Sequence, residues 1–115
     1  MALKMVKTEN GWVEGLPGGN YTVSVFKGIP YAAPPVGENR WRAPQPAENW
    51  EGVYQAFKFK PMCPQAKPGT PWEKQENPEP LWAQDEDCLY CNVWTPAVRE
   101  DEKLPVLLWI HGGAN

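Results

Sequence analysis

The chain has 115 residues, 14 of them proline and 10 glycine, and prolines this dense leave no stretch in which a long helix can run. Seven Trp, four Tyr and three Phe supply more apolar surface than a solvated tail carries, so the chain is ordered but loop-rich. With 11 Lys/Arg against 14 Asp/Glu, a net charge of −3 and no basic stripe, nucleic acid is not an expected partner.

The first elements read as β-hairpins. Asn10-Gly11 is a two-residue turn signal between strands at residues 3–9 and 12–15. Pro17-Gly18-Gly19-Asn20 marks a second turn, after which Tyr21, Val23 and Val25 alternate with Thr22, Ser24 and Phe26, the period of a half-buried strand. Residues 28–46 hold five prolines and read as an extended loop anchored by Tyr31 and Trp41. A short strand is expected within residues 50–59, and a second proline-rich loop over residues 63–80.

Regular structure returns at residues 89–94, where Leu89, Cys91 and Val93 share one strand face and Tyr90, Asn92 and Trp94 the other. Residues 99–103 form a charged turn. The clusters Asp85-Glu86-Asp87 and Glu100-Asp101-Glu102 read first as solvated loop charge. Residues 106–110 are apolar on both faces, the pattern of a strand inside a covered, largely parallel sheet. They run into His111-Gly112-Gly113-Ala114-Asn115. Such a strand needs neighbours on both edges and helices over both faces, and these residues offer no helix to cover it. The expectation is a piece of a larger fold whose remainder is supplied elsewhere.

Cys88-x-x-Cys91 invites a zinc or redox reading, but no second cysteine pair accompanies it and the single histidine, His111, has no partner at ligand spacing. On a strand the odd offset sends the two sulfurs to opposite faces. No metal and no cofactor are expected. The longest apolar run, residues 104–110, is far short of the roughly 20 residues of a spanning helix. Lys4, Lys7, Thr8, Glu9 and Asn10 interrupt any apolar leader region. The expected setting is therefore the cytoplasm, with secretion only if a leader has been removed, and no membrane partner.

Three ordered blocks then carry a family resemblance. The first is Phe26-Lys27-Gly28-Ile29-Pro30-Tyr31-Ala32 with Pro34-Pro35-x-Gly37, followed by Arg40, Pro44 and Trp50. The second is Glu86-Asp87-Cys88-Leu89-Tyr90-Cys91-Asn92-Val93-Trp94-Thr95-Pro96, and the third is Leu104-Pro105-Val106-Leu107-Leu108-Trp109-Ile110-His111-Gly112-Gly113-Ala114. Together they resemble the N-terminal portion of type-B carboxylesterases, the cholinesterase-like branch of the α/β-hydrolases. The resemblance implies that residues 1–115 are the N-terminal part of a single α/β-hydrolase domain. Its content is β-hairpins, long proline-rich loops and the first strands of the central sheet, incomplete by itself.

The resemblance also implies roles. The loop after residues 106–110 supplies backbone N–H donors for an oxyanion, here Gly113 and Ala114, with Gly112 shaping the turn. His111 stabilises that loop and is not the general base, which lies downstream of the nucleophile in this family. Arg40 and Glu86 form a structural ion pair. Cysteines matching Cys63 and Cys88 are often bridged in the family; such a bridge adds roughly 3 kcal/mol by chain entropy and stays open in a reducing cytosol. Trp72 and Trp82, on the enclosed loop, line a pocket or pack. Cys91 replaces a usual aliphatic residue and Asn115 a usual aromatic, and neither change removes a backbone donor.

No G-x-S-x-G nucleophile elbow occurs among these residues, nor do the acid and histidine that complete a triad. The implied activity is a carboxylic ester hydrolase working through an acyl-enzyme. Its substrate is a small-molecule ester, and the rest of the esterase is this chain's partner. Two other classes stay open: a cholinesterase-like adhesion or scaffold domain without the serine, and a free-standing Trp-rich β binding module.

Overall fold

The computed structural model describes residues 2–65 and 83–112. Among them the regular elements are six short strands and one 3-10 turn (Gly37–Asn39). The strands are β1 (Met5–Lys7), β2 (Trp12–Glu14), β3 (Leu16–Pro17), β4 (Ser24–Pro30), β5 (Val53–Gln55) and β6 (Tyr90–Thr95). One sheet has the order β1-β2-β5 and the other β3-β4-β6. Among the described residues no helix is long and apolar enough to cross a membrane.

The first hairpin forms as expected, with Val6 opposite Val13, but its connection is longer than the dipeptide suggested. Lys7 pairs with Trp12, leaving a four-residue loop in which Thr8 N–H donates to Gly11 O at 2.9 Å. The reason lies downstream in the chain. Asn10 is engaged there: its Nδ2 donates to Ala47 O (3.1 Å) and Asn49 Oδ1 (3.0 Å), and its carbonyl accepts from Trp50 N–H (2.9 Å). Gly11 has no side chain because none fits, since a Cβ there would meet the Trp50 ring at 2.4 Å. The Trp50 indole N–H in turn donates to Trp12 O at 2.8 Å.

β4 departs from the half-buried alternation. Ser24, Val25 and Phe26 are all buried, and the strand continues through Gly28, Ile29 and Pro30, which the proline content had assigned to a loop. Both departures follow from its central place. Antiparallel β6 lies along one edge. The other edge meets β3 through Val25 and then turns to Lys27, whose N–H donates to Ala56 O at 2.7 Å beyond β5. The register shifts between Phe26 and Ile29, a bulge with Gly28 in the left-handed region at φ 73°. The bulged backbone is satisfied by side chains: Gly28 N–H donates to Asn92 Oδ1 (2.8 Å), and Tyr54 OH donates to Gly28 O (2.6 Å).

β5 lies inside the stretch expected to hold a short strand, and it pairs with β2 in parallel, a long-range match that local pattern does not reveal. β6 falls one residue beyond the expected 89–94 and lies antiparallel to β4. The core gathers Val13, Phe26 and Ala56, with Val6, Ile29, Trp50 and Tyr54 packed against it. It is thin, for among the described residues four of the seven buried apolar ones are alanines (Ala2, Ala32, Ala56 and Ala97). An interior so small supports little stability.

Residues 106–110, expected as a strand whose cover lies outside these residues, form no strand here and stand 78% to 94% exposed. Among the described residues no strand lies beside them to take their backbone hydrogen bonds, and no helix covers either face.

Gly28→Ala is expected to destabilise the protein by about 1–3 kcal/mol, because the new Cβ adopts a left-handed φ and meets Lys58 O at 2.7 Å. Gly19→Ala, with nothing within 4 Å of its Cβ, leaves the thermal midpoint unchanged. Equal midpoints for the two variants would contradict the bulge's role.

Candidate functional site

The bulge at Gly28 turns β4 toward Tyr31, whose N–H donates to Leu89 O at 3.2 Å. This docks the first block onto the second at the start of β6. The same pair of blocks is pinned at the surface by charge. Arg40 Nη2 donates to both carboxylate oxygens of Glu86, so Glu86 is not merely solvated loop charge. The carboxylate holds the Arg40 guanidinium above its ordinary value by hydrogen bond and charge. Both side chains are about half exposed, so the pair positions two loops more than it adds stability.

A third junction joins residues 62–65 to 83–85. Met62 N–H donates to Ala83 O (3.0 Å), Asp85 N–H to Met62 O (3.1 Å) and Gln65 N–H to Gln84 Oε1 (2.8 Å). The zip brings Cys63 and Cys88, 25 positions apart in sequence, near one another as free thiols. Burial pushes the Cys88 thiol up to about 12; the hydrogen bond with Cys63 and the charges of Asp87 and Asp85 add to it. Burial also raises Cys91; partial burial and then the charges of Cys63, Cys88 and Cys91 raise Tyr31; and Tyr90 is pushed to about 12 by burial and its 2.9 Å hydrogen bond to Asp87.

These segments enclose an open cleft of about 610 Å³ that Tyr31, Met62, Cys63, Cys88, Asn92 and His111 line together. His111 and Gly112 reach its rim, and His111 Nδ1 lies 3.1 Å from Gly112 O, a contact within the loop itself. Gly113 and Ala114 lie outside the described residues, as do Trp72 and Trp82. The one serine of the chain, Ser24, is 2% exposed in β4 and cannot act as a nucleophile toward a substrate. Among the described residues no group of three or more His, Cys, Asp or Glu side chains is placed to hold a metal ion.

The profile of the Carboxylesterase family matches residues 2–115. The chain belongs to this family. It is 43% identical over 114 residues to para-nitrobenzyl esterase of Bacillus subtilis, covering 99% of this chain and 22% of that protein. It is 41% identical to the acetylcholinesterase of Bungarus fasciatus, over 94% of this chain and 18% of that enzyme. A solved thermophilic para-nitrobenzyl esterase superposes with a TM-score of 0.79 at 43% identity, covering 96% of this chain and 22% of that one. The fold is accordingly that of the N-terminal portion of an α/β-hydrolase, and the chain spans about a fifth of the length of the curated relatives it matches. Membership in an esterase family disfavours the free-standing β binding module, and relatives that are themselves esterases disfavour the non-catalytic scaffold.

Several contributors at this site escape a motif reading. Asn92 and Tyr54 cap the bulge, and Lys60 places its ammonium over both the Tyr54 and Tyr90 rings (5.7 and 5.5 Å). The aromatic residues were visible in the sequence, yet the meeting of Tyr54 and Tyr90 at Lys60 depends on pairing between distant strands.

In the reduced protein at pH 8, Cys88 should react with iodoacetamide on the order of a hundredfold more slowly than an ordinary thiol, and its rate should climb only toward about pH 12. Peptide mapping by mass spectrometry reads this directly. Cys88 and Tyr90 hold their protons to higher pH folded than unfolded. Their contribution to stability is intact below the ordinary values of 9.0 and 10.0 and falls away as pH rises toward about 12. Labelling of Cys88 at the ordinary rate would contradict the raised Cys88 thiol.

Proposed function

We propose that this chain is the N-terminal part of a carboxylic ester hydrolase and that its contribution to catalysis is the oxyanion loop, with Gly113 and Ala114 as N–H donors and Gly112 shaping the turn. The observation that carries the proposal is the family match, whose span of residues 2–115 includes His111-Gly112-Gly113-Ala114, with His111 and Gly112 lining the cleft. Small residues suit this position because the backbone must approach a substrate carbonyl closely. His111 serves the loop rather than proton transfer, consistent with its contact to Gly112 O.

The substrate class is a small-molecule carboxylic ester. A serine, an acid and a histidine from the remaining portion of the enzyme form the triad. The serine oxygen adds to the ester carbonyl as the histidine takes its proton, and the alcohol leaves with that proton. Water then adds to the acyl-enzyme, releases the carboxylic acid and restores the serine. In both halves the carbonyl oxygen becomes an oxyanion, and the two N–H groups stabilise it. Residence in the cytoplasm, where Cys63 and Cys88 stay as thiols, belongs to the same proposal.

The test uses the full-length protein and a short-chain p-nitrophenyl ester. Ala114→Pro deletes one donor and is expected to lower kcat by about 10²–10³-fold, on the order of 3 kcal/mol, while leaving the circular dichroism spectrum unchanged. A folded variant that keeps its kcat would overturn the assignment of the loop, and turnover by these 115 residues alone would overturn the division of labour.

A further inference from the structure

The loop between β4 and β5 carries a side chain that neither the core nor the cleft uses. Trp41 is 98% exposed, and its backbone sits at φ 61°, the left-handed region that a bulky residue rarely occupies. A residue persists there when its surroundings dictate the conformation. Here they do so from both sides. Asn39 N–H donates to Val36 O (3.0 Å), Arg40 N–H to Gly37 O (3.3 Å) and Arg42 N–H to Asn39 O (3.2 Å). The Asn39 side chain donates to Pro34 O (3.3 Å), and Arg40 is clamped on Glu86. The loop is therefore preformed, and it holds a large apolar ring fully in water.

We infer that Trp41 is a docking anchor whose occupant is the portion of the same protein that lies beyond residue 115. The inference rests on the reading of this chain as part of a longer esterase. Its independent support is the strained presentation of the indole and the length outside the structure: the chain covers 22% of the para-nitrobenzyl esterase it matches, so most of such a protein is available to cover this loop. An indole brings about 150–250 Å² of largely apolar surface on a stiff side chain, and Trp is enriched among residues that dominate interface energy. Because the loop is already ordered, little conformational freedom is lost when the ring docks. The matching surface is an apolar pocket with a carbonyl or carboxylate acceptor for the indole N–H.

Two measurements on the full-length protein decide the matter. In hydroxyl-radical footprinting read by mass spectrometry, Trp41 of the native protein should oxidise about tenfold more slowly than in the urea-unfolded protein, and this protection should survive roughly hundredfold dilution. Trp41→Gly should lower the thermal midpoint by several degrees, because the lost docking outweighs the relieved backbone strain, while Trp41→Phe recovers part of it. Trp41 oxidation at the unfolded rate, or a Trp41→Gly midpoint above the wild type, overturns the anchor. Protection that disappears on dilution assigns the surface to a second copy and overturns it as well. Hydrolysis of the p-nitrophenyl ester is measured in the same preparations. Its absence with Trp41 protected removes the esterase reading and not the anchor, and its presence with Trp41 unprotected removes the anchor alone.

Discussion

A β-strand is stable when its backbone groups find partners on both edges and its side chains find cover on both faces, and β4 is where this chain comes nearest to meeting that condition. β6 lies along one side, β3 and then Ala56 along the other, and Ser24, Val25 and Phe26 are buried between them. Such a strand must bend where its second neighbour changes, and the bulge at Gly28 makes that bend. Asn92 from β6 and Tyr54 from β5 satisfy the backbone groups that the ladder gives up there. The direction taken by Tyr31, and with it the docking of the first sequence block onto the second, follows from that one irregular step.

The remaining order comes from polar pins rather than from a large core. Asn10 ties the first hairpin to residues 47–50, Arg40 ties the proline-rich loop to Glu86, and the 62–65 segment is zipped to 83–85. Each pin spans a long sequence separation while ordering few residues. Proline makes this economical because it limits what the loops lose on folding. The consequence for function is a rim held in place by backbone hydrogen bonds, at which the His111-Gly112 loop arrives.

The site was legible to the extent that its parts are contiguous. Glu86, the cysteine at 88 and the glycines after His111 lie inside blocks whose order identifies the family, and the Arg40 partner of Glu86 follows from the same pattern. The contributions of Asn92, Tyr54 and Lys60 were not legible. Nothing in a Tyr-Cys-Asn-Val-Trp strand distinguishes an asparagine facing solvent from one that caps a bulge 64 positions away. The Asn10-Gly11 dipeptide misled for a related reason: its local preference for a tight turn yielded to three long-range hydrogen bonds through Asn10.

Length and composition alone established that no helical bundle could form here, and the ordered motifs established the family, because proline geometry, turn chemistry and motif order are local properties of the chain. Local pattern also placed strands near β1, β2, β5 and β6. Tertiary structure decided the rest. It set the parallel pairing of β2 with β5, the burial of β4 on both faces, and the fate of residues 106–110, whose apolar pattern is that of a sheet strand and whose backbone has no strand beside it among the described residues. Every peptide unit carries the same donor and acceptor whatever its side chain, so an apolar run can specify that it should be covered, but only the neighbouring strands decide whether it becomes part of a sheet.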